Sequence, residues 1–287
     1  MHELKSQETG TASDPSSTVA APVKLGRAIV ITSGKGGVGK TTTTANLGTA
    51  LAQRHAKVAL VDADVGLRNL DILLGLESRI KFHLLDVLEE KASLDDALVH
   101  DKHSESLFLL AAAQTREKDE VDTEQMRALV EKLRERFDYV LIDCPAGIEM
   151  GFRNAVVGAD EAIVVCTPEV SAVRDVDRVV GLLGSRFRPQ LIVNRLRPQL
   201  VKKGKMLSVE DVNSILHLPL LGVIADEPQI VVTTNRGEPI ALQREGRTAE
   251  AYRAIAARLA GEDVPAPTVE LKETFLSRIG SFLGGSR

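Results

Sequence analysis

The chain has 287 residues, of which 44% are hydrophobic and 26% charged, with a formal net charge of −4. That balance fits a globular protein with a sizeable core, and it argues against binding of DNA or RNA across the whole surface, leaving room only for a local basic patch. The two cysteines, Cys144 and Cys166, are too far apart for a CxxC pair, which excludes a disulfide framework or zinc site and points to a reducing compartment.

Residues 1–25 are rich in Ser, Thr, Ala and Pro and lack the apolar core of a secretory signal; they read as a flexible leader. From Arg27 onward, short β-branched runs alternate with longer helical stretches. The runs are Ala28–Thr32, Val58–Val61, Leu107–Ala111, Tyr139–Cys144, Ala162–Cys166, Leu191–Val193 and Leu221–Ile224. Near-continuous apolar runs of this length predict strands buried on both faces of a parallel sheet. Helices are expected over Lys40–Gln53, Asp122–Arg136, Glu149–Val157, Ser171–Gly184, Ser208–Leu216 and Arg247–Leu259. The alternation predicts a doubly wound α/β fold, a mostly parallel sheet with helices on both faces, forming one domain over residues 26–260. Two prolines make residues 261–268 a linker that cannot continue the helix. No stretch approaches the roughly 20 apolar residues of a membrane span.

Residues 34–41 read GKGGVGKT, directly after the first predicted strand and before the first predicted helix. This is the complete phosphate-loop pattern GxxxxGK[ST] of a P-loop NTPase, in the context that gives it meaning. Its glycines let successive backbone N–H groups turn toward phosphate oxygens, and the helix N-terminus adds partial positive charge. Lys40 would bridge the β- and γ-phosphates, and the Thr41 hydroxyl would ligate Mg²⁺. Carboxylates follow two other strands, Asp62 and Asp64 after Val58–Val61 and Asp143 after Tyr139–Ile142. Strand ends of open α/β sheets are where ligands bind, and a carboxylate there suits a Mg²⁺-water site. One of Asp62 and Asp64 can serve the metal's water while the other orients the attacking water; spacing does not assign which.

The loop holds a second lysine, Lys35. A γ-phosphoryl group in transfer spreads charge over several oxygens, and a second cation stabilises it. With a reach of roughly 6 Å, Lys35 can turn inward or outward across an interface. Supplied in trans, it would make hydrolysis depend on dimerisation.

Together KGGVGKTT (35–42), DADVGLRNLD (62–71) and DCPAGIE (143–149) resemble the deviant-Walker ATPases of the ParA/MinD P-loop family, along nearly the whole chain from Arg27. VGLRNLD and PAGIE are more specific to the family than the phosphate loop, and they point to its members that place the cell-division septum. The resemblance implies ATP and Mg²⁺ as cofactors, with Gly34, Lys35, Gly36, Gly37, Val38, Gly39, Lys40, Thr41 and Thr42 around the nucleotide. It implies that Lys35 reaches the phosphates of the other subunit in an ATP-bound homodimer, and that Lys40 and Asp64 act in hydrolysis. Thr41, Asp62 and Asp143 would serve the metal. Asn194, in IVNR (192–195), would read adenine, the chain having no NKxD guanine signature, and backbone near Pro228 would line the base pocket. The partners so implied are MinC, a division inhibitor, and an activator such as MinE, with no specific nucleic acid.

After the linker, residues 269–287 resume a helical pattern. Leu271, Phe275, Leu276, Ile279, Phe282 and Leu283 fall within an arc of roughly 140°. Such a segment either packs on the domain or lies in a membrane interface. Its terminal place, the linker and the resemblance favour a membrane-targeting helix. Three basic residues against two acidic ones over 270–287 leave it one net positive charge, so insertion must lean on the apolar face. Two tethered helices would bind far better than one. The expected cycle is a dimer on the inner face of the cell membrane with ATP and a cytoplasmic monomer with ADP. The alternatives are a flagellar-number ATPase, whose N-terminal partner motif is not found in the leader, and a ParA-type DNA-partitioning ATPase, for which Arg186, Arg188, Arg195 and Arg197 offer a modest basic cluster. An iron–sulfur carrier would need paired cysteines.

Overall fold

The structure, a computed structural model, describes residues 25–66, 68–114, 122–145, 147–148 and 150–265. The leader before Leu25, Ala146 and Glu149 of the PAGIE stretch, Leu67, and the expected membrane helix with Leu271, Phe275, Leu276, Ile279, Phe282 and Leu283 lie outside the described residues.

The strands are β1 (Arg27–Thr32), β2 (Val58–Asp62), β3 (Leu98–His100), β4 (Leu107–Leu110), β5 (Tyr139–Asp143), β6 (Glu161–Cys166), β7 (Gln190–Leu196) and β8 (Leu220–Ala225). The helices are α1 (Lys40–Ala52), α2 (Leu70–Leu74), α3 (Leu84–Leu88), α4 (Leu94–Ala97), α5 (Thr123–Arg134), α6 (Met150–Val157), α7 (Val170–Leu183), α8 (Pro198–Lys202), α9 (Val209–Leu216), α10 (Gln229–Asn235) and α11 (Arg247–Leu259). The strands form one sheet in the order β3-β4-β2-β5-β1-β6-β7-β8. Every pairing is parallel except β3 with β4, where Val99 faces Leu109.

Side chains alternate across β1, and both sets are buried. Ala28 and Val30 join Val140 and Ile142 under Met126, Leu129, Phe152, Val173 and Val212 from α5, α6, α7 and α9. Ile29 and Ile31 join Leu141 under Ala45, Leu47, Leu70, Tyr252 and Ile255 from α1, α2 and α11. That two-sided burial is why the strands read as unbroken apolar runs rather than alternating ones.

The order has one reversal that positions the site. After β5 the chain passes β1 and adds β6, β7 and β8 on the other side. The C-terminal ends of β1, β2 and β5 thus lie side by side, at the kind of crevice where open α/β sheets bind ligands. All seven predicted strands and six predicted helices are present, with ends displaced by a few residues at most. The structure adds edge strand β3 and the short helices α2, α3, α4, α8 and α10. Elements of three to seven residues carry too little periodicity to announce themselves.

Candidate active site

β1 runs into the phosphate loop, and α1 starts where the loop ends. The loop passes twice through left-handed backbone, at Gly37 (φ 77°) and Gly39 (φ 96°), a region only glycine enters without steric cost. A Cβ on Gly39 would also come within 2.3 Å of the Asn194 amide nitrogen, and one on Gly34 within 2.4 Å of the Asp175 backbone in α7. The Ser33 hydroxyl donates to the Lys35 carbonyl at 2.8 Å and ties the loop's first turn. Lys40 is buried, at 7% exposure, on the first residue of α1; Thr41 and Thr42 follow it, partly buried.

Asn194 lies where β7 bulges against β8, with Arg195 in left-handed backbone (φ 57°). Its Nδ2 donates to the Val38 carbonyl at 2.7 Å, and its Oδ1 accepts from the Arg195 N–H at 2.9 Å. The first bond braces the phosphate loop from the β7 side, and the second holds the Asn194 side chain against its own backbone. Pro228 caps the N-terminus of α10 and is exposed.

The acids lie beside the loop. Asp62 and Asp143 end β2 and β5 and are register partners across the two strands. Asp62 accepts from the N–H groups of Asp64 at 3.0 Å and Leu70 at 3.2 Å, so it shapes the loop that carries Asp64. Asp143 accepts from the Thr44 hydroxyl at 3.1 Å, and its carbonyl accepts from the Ala63 N–H at 3.0 Å. Burial raises the pKa of both carboxylates. For Asp62 the neighbouring charge of Asp143 adds to that rise, whereas the Lys40 ammonium and the hydroxyls of Thr41 and Thr44 oppose it at Asp143. Asp64 is buried next to them.

Two buried acids and a hydroxyl make an all-oxygen donor set. Mg²⁺ takes such donors, with substrate phosphates and water completing its shell instead of a closed protein cage. No group of three or more His, Cys, Asp or Glu side chains gathers to hold a metal among the described residues. Cys144 and Cys166 are buried, and burial pushes both thiols up to about 12, which leaves them inert core groups.

Lys35 stands apart from Lys40. Its Nζ lies 3.1 Å from Glu169 Oε2 and 3.3 Å from Ser171 Oγ, at the start of α7, with about a third of its side chain exposed. Glu169 and Ser171 are the neighbours of Lys35 that a reading of the sequence misses, because they lie 134 and 136 residues away. Thr44 is missed for a different reason. One turn after Lys40 and Thr41, it was legible as sharing their helix face, but it stands in a run of four threonines.

A phosphate loop with two lysines, and acids at the ends of two neighbouring strands, define a P-loop nucleotide-binding protein. The family model for an AAA domain matches residues 26–189. The septum site-determining protein MinD of Synechocystis sp. is 54% identical over 266 residues, 91% of this chain and 100% of that protein. Among solved structures, the MinC:MinD cell division protein complex of Aquifex aeolicus matches with TM-score 0.79 at 51% identity, over 84% of this chain and 98% of that one. MinD of Pyrococcus horikoshii, complexed with Mg-ADP, matches with TM-score 0.73 at 33% identity, over 82% and 96%. The chain belongs to the MinD family of septum site-determining P-loop ATPases.

Proposed function

We propose that the protein is an ATP-switched, Mg²⁺-dependent ATPase that dimerises around ATP, binds the membrane through residues 269–287, and brings a division inhibitor of the MinC kind to it. The observation that carries the reading is the division of labour between the lysines. Lys40 is buried in the cradle, while Lys35 rests on Glu169 at its rim. A cation held at the rim reaches phosphate only by leaving that contact, and a second subunit closing over the mouth gives it somewhere to go. Exposed apolar residues support such a face: Ile72, Ile148, Val170, Val231 and Val232 all lie on segments that follow the C-terminal ends of β2, β5, β6 and β8.

In this reading the loop amides from Gly34 to Thr42 bind the phosphates and Lys40 holds the γ-phosphoryl group. The Thr41 hydroxyl, Asp62 and Asp143 serve the metal, which when bound neutralises the charge that builds on the phosphate oxygens. Asp64 orients the attacking water. Asn194 and the backbone at Pro228 face the base. Lys35 of each subunit adds charge to the other's phosphates. Hydrolysis separates the subunits and so the two tails. An activator of the MinE kind would set the rate of that step.

No helix among the described residues is long and apolar enough to cross a membrane; in this reading attachment is peripheral, through the tail, on the cytoplasmic side. The test is co-sedimentation with anionic liposomes of the full chain and of a chain truncated before residue 269, each with ATP and with ADP. Asp64→Ala, which should bind ATP without hydrolysing it, holds the first state. Pelleting should require both ATP and the tail. Equal pelleting with the two nucleotides, or no loss on truncation, would refute the cycle; ATP-dependent pelleting with DNA in place of liposomes would move the protein to the partitioning class.

A further inference from the structure

We infer that Thr44 is a positioning residue for the reaction: its hydroxyl fixes the direction of the Asp143 carboxylate from the far side of the phosphate loop. Nothing in the motif assigns a duty to it. The structure brings together two segments 99 residues apart, with Thr44 Oγ1 3.1 Å from Asp143 Oδ1 and 3.1 Å from the Lys40 carbonyl. Thr44, Lys40 and Asp143 are all buried. The single hydroxyl proton is shared between these two acceptors, so Thr44 links the first turn of α1, which carries the phosphate-gripping lysine, to the end of β5.

Three features make this more than a core contact. First, the two bonds are unequal in consequence. The Lys40 carbonyl keeps a helical partner one turn on if the hydroxyl is lost, whereas Asp143 is an ionisable group with few substitutes. Second, the other hydroxyl on Asp143 belongs to Thr41, which the proposed function gives to the metal, so Thr44 is the donor that the metal does not claim. Third, Asp143 stands in register with Asp62. With two acids side by side the direction of each carboxyl group matters, and a buried charge-assisted hydrogen bond is a strong restraint on the one at Asp143. Groups that hold a metal-facing carboxylate in place typically change metal affinity or activity 10- to 100-fold when removed.

The inference rests on the proposed reading of Asp143 as a carboxylate that serves Mg²⁺. The test uses the full chain and a fluorescent ATP analogue, titrating Mg²⁺ into the nucleotide-bound protein and following the fluorescence change. Thr44→Val should raise the Mg²⁺ concentration at half-saturation by about tenfold or more, leave nucleotide affinity without Mg²⁺ within about threefold, and lower the turnover number more than it changes KM. Thr44→Ser, which keeps the hydroxyl, should stay close to the parent. If Val does not fold, Thr44→Ala replaces it, with melting temperature recorded for each variant.

Asp143→Asn separates the two layers of the argument. It should itself weaken the Mg²⁺ response, and adding Thr44→Val to it should cost little more, since residues acting through one group are not additive. If Asp143→Asn leaves the response unchanged, the metal reading falls and the inference with it. If Asp143→Asn weakens it but Thr44→Val does not, or Ser loses as much as Val, the positioning role of the hydroxyl is overturned while the metal reading stands.

Discussion

Lys35→Ala separates the two lysines most sharply. In the single subunit the side chain makes an ion pair with Glu169 and a hydrogen bond to Ser171, both partly exposed to solvent. Exposed pairs of this kind contribute about 0–1 kcal/mol, so the variant should melt within about 3 °C of the parent for a domain of this size. Across a dimer interface the balance differs, because truncating one member of a buried charge pair costs about 2–5 kcal/mol. A symmetric dimer carries two such lysines, so even the low end gives about 4 kcal/mol, roughly a thousandfold in the dimer dissociation constant. The assay is sedimentation velocity with saturating ATP in an Asp64→Ala background, together with a direct measurement of ATP binding. The expected outcome is near-normal melting, retained ATP binding, no dimer, and no ATP-dependent recruitment to liposomes. A Lys35→Ala protein that dimerises within about threefold of the parent would refute the account of the second lysine. One that melts far below the parent would show instead that the Glu169 contact is structural.

Two further outcomes follow from the loop and the acids. Gly39→Ala places a methyl 2.3 Å from the Asn194 amide, at φ 96°, so both the left-handed backbone and the Asn194–Val38 bond suffer; melting and ATP affinity should fall together, and Asn194→Ala in the same chain should restore part of the melting temperature but not the binding. Asp62 is raised by burial and by Asp143 from 3.8 to about 8, so the folded protein holds protons there that the unfolded chain has released; its contribution to stability is present below about pH 4 and is lost as pH rises through about 8. Thermal melts of nucleotide- and Mg²⁺-free protein between pH 5.5 and 8.5 should therefore show a more negative slope for the parent than for Asp62→Asn, and equal slopes would refute the assignment.

What could be read from the sequence divides along physical lines. The central strands were legible because each is buried on both faces, and an apolar run of β-branched residues has few other uses. β3 was not, since Leu-Val-His is three residues at a sheet edge with one neighbour. The loop and its acids were legible because nucleotide chemistry fixes residue types within single strand–loop turns. The partner of Lys35 was not, because an ion pair between Lys35 and Glu169 depends on how far α7 leans over Gly34. That lean has a local cause in the structure: the missing Cβ of Gly34, where the Asp175 backbone sits. The glycine was visible in the sequence as a loop residue, and its second use, admitting α7, only in three dimensions.

That same packing supports the role proposed for the second lysine. Because α7 lies against Gly34, the start of α7 offers Glu169 and Ser171 to Lys35 within one subunit, and the cation has a home when no partner is present. An exposed ion pair is a shallow well. On the proposed reading it would keep the charge off a lone subunit's phosphates, and would yield when a second phosphate group competes for it. A buried Lys35 would bind ATP well and hydrolyse it alone; a free one would have nothing to exchange. The tail has the same character in the proposed cycle, since one positive charge and one short apolar face hold a single copy weakly, and tethering two multiplies the effect. In the proposed cycle, two shallow wells in one chain, both deepened by pairing, would let a single hydrolysis step release both contacts.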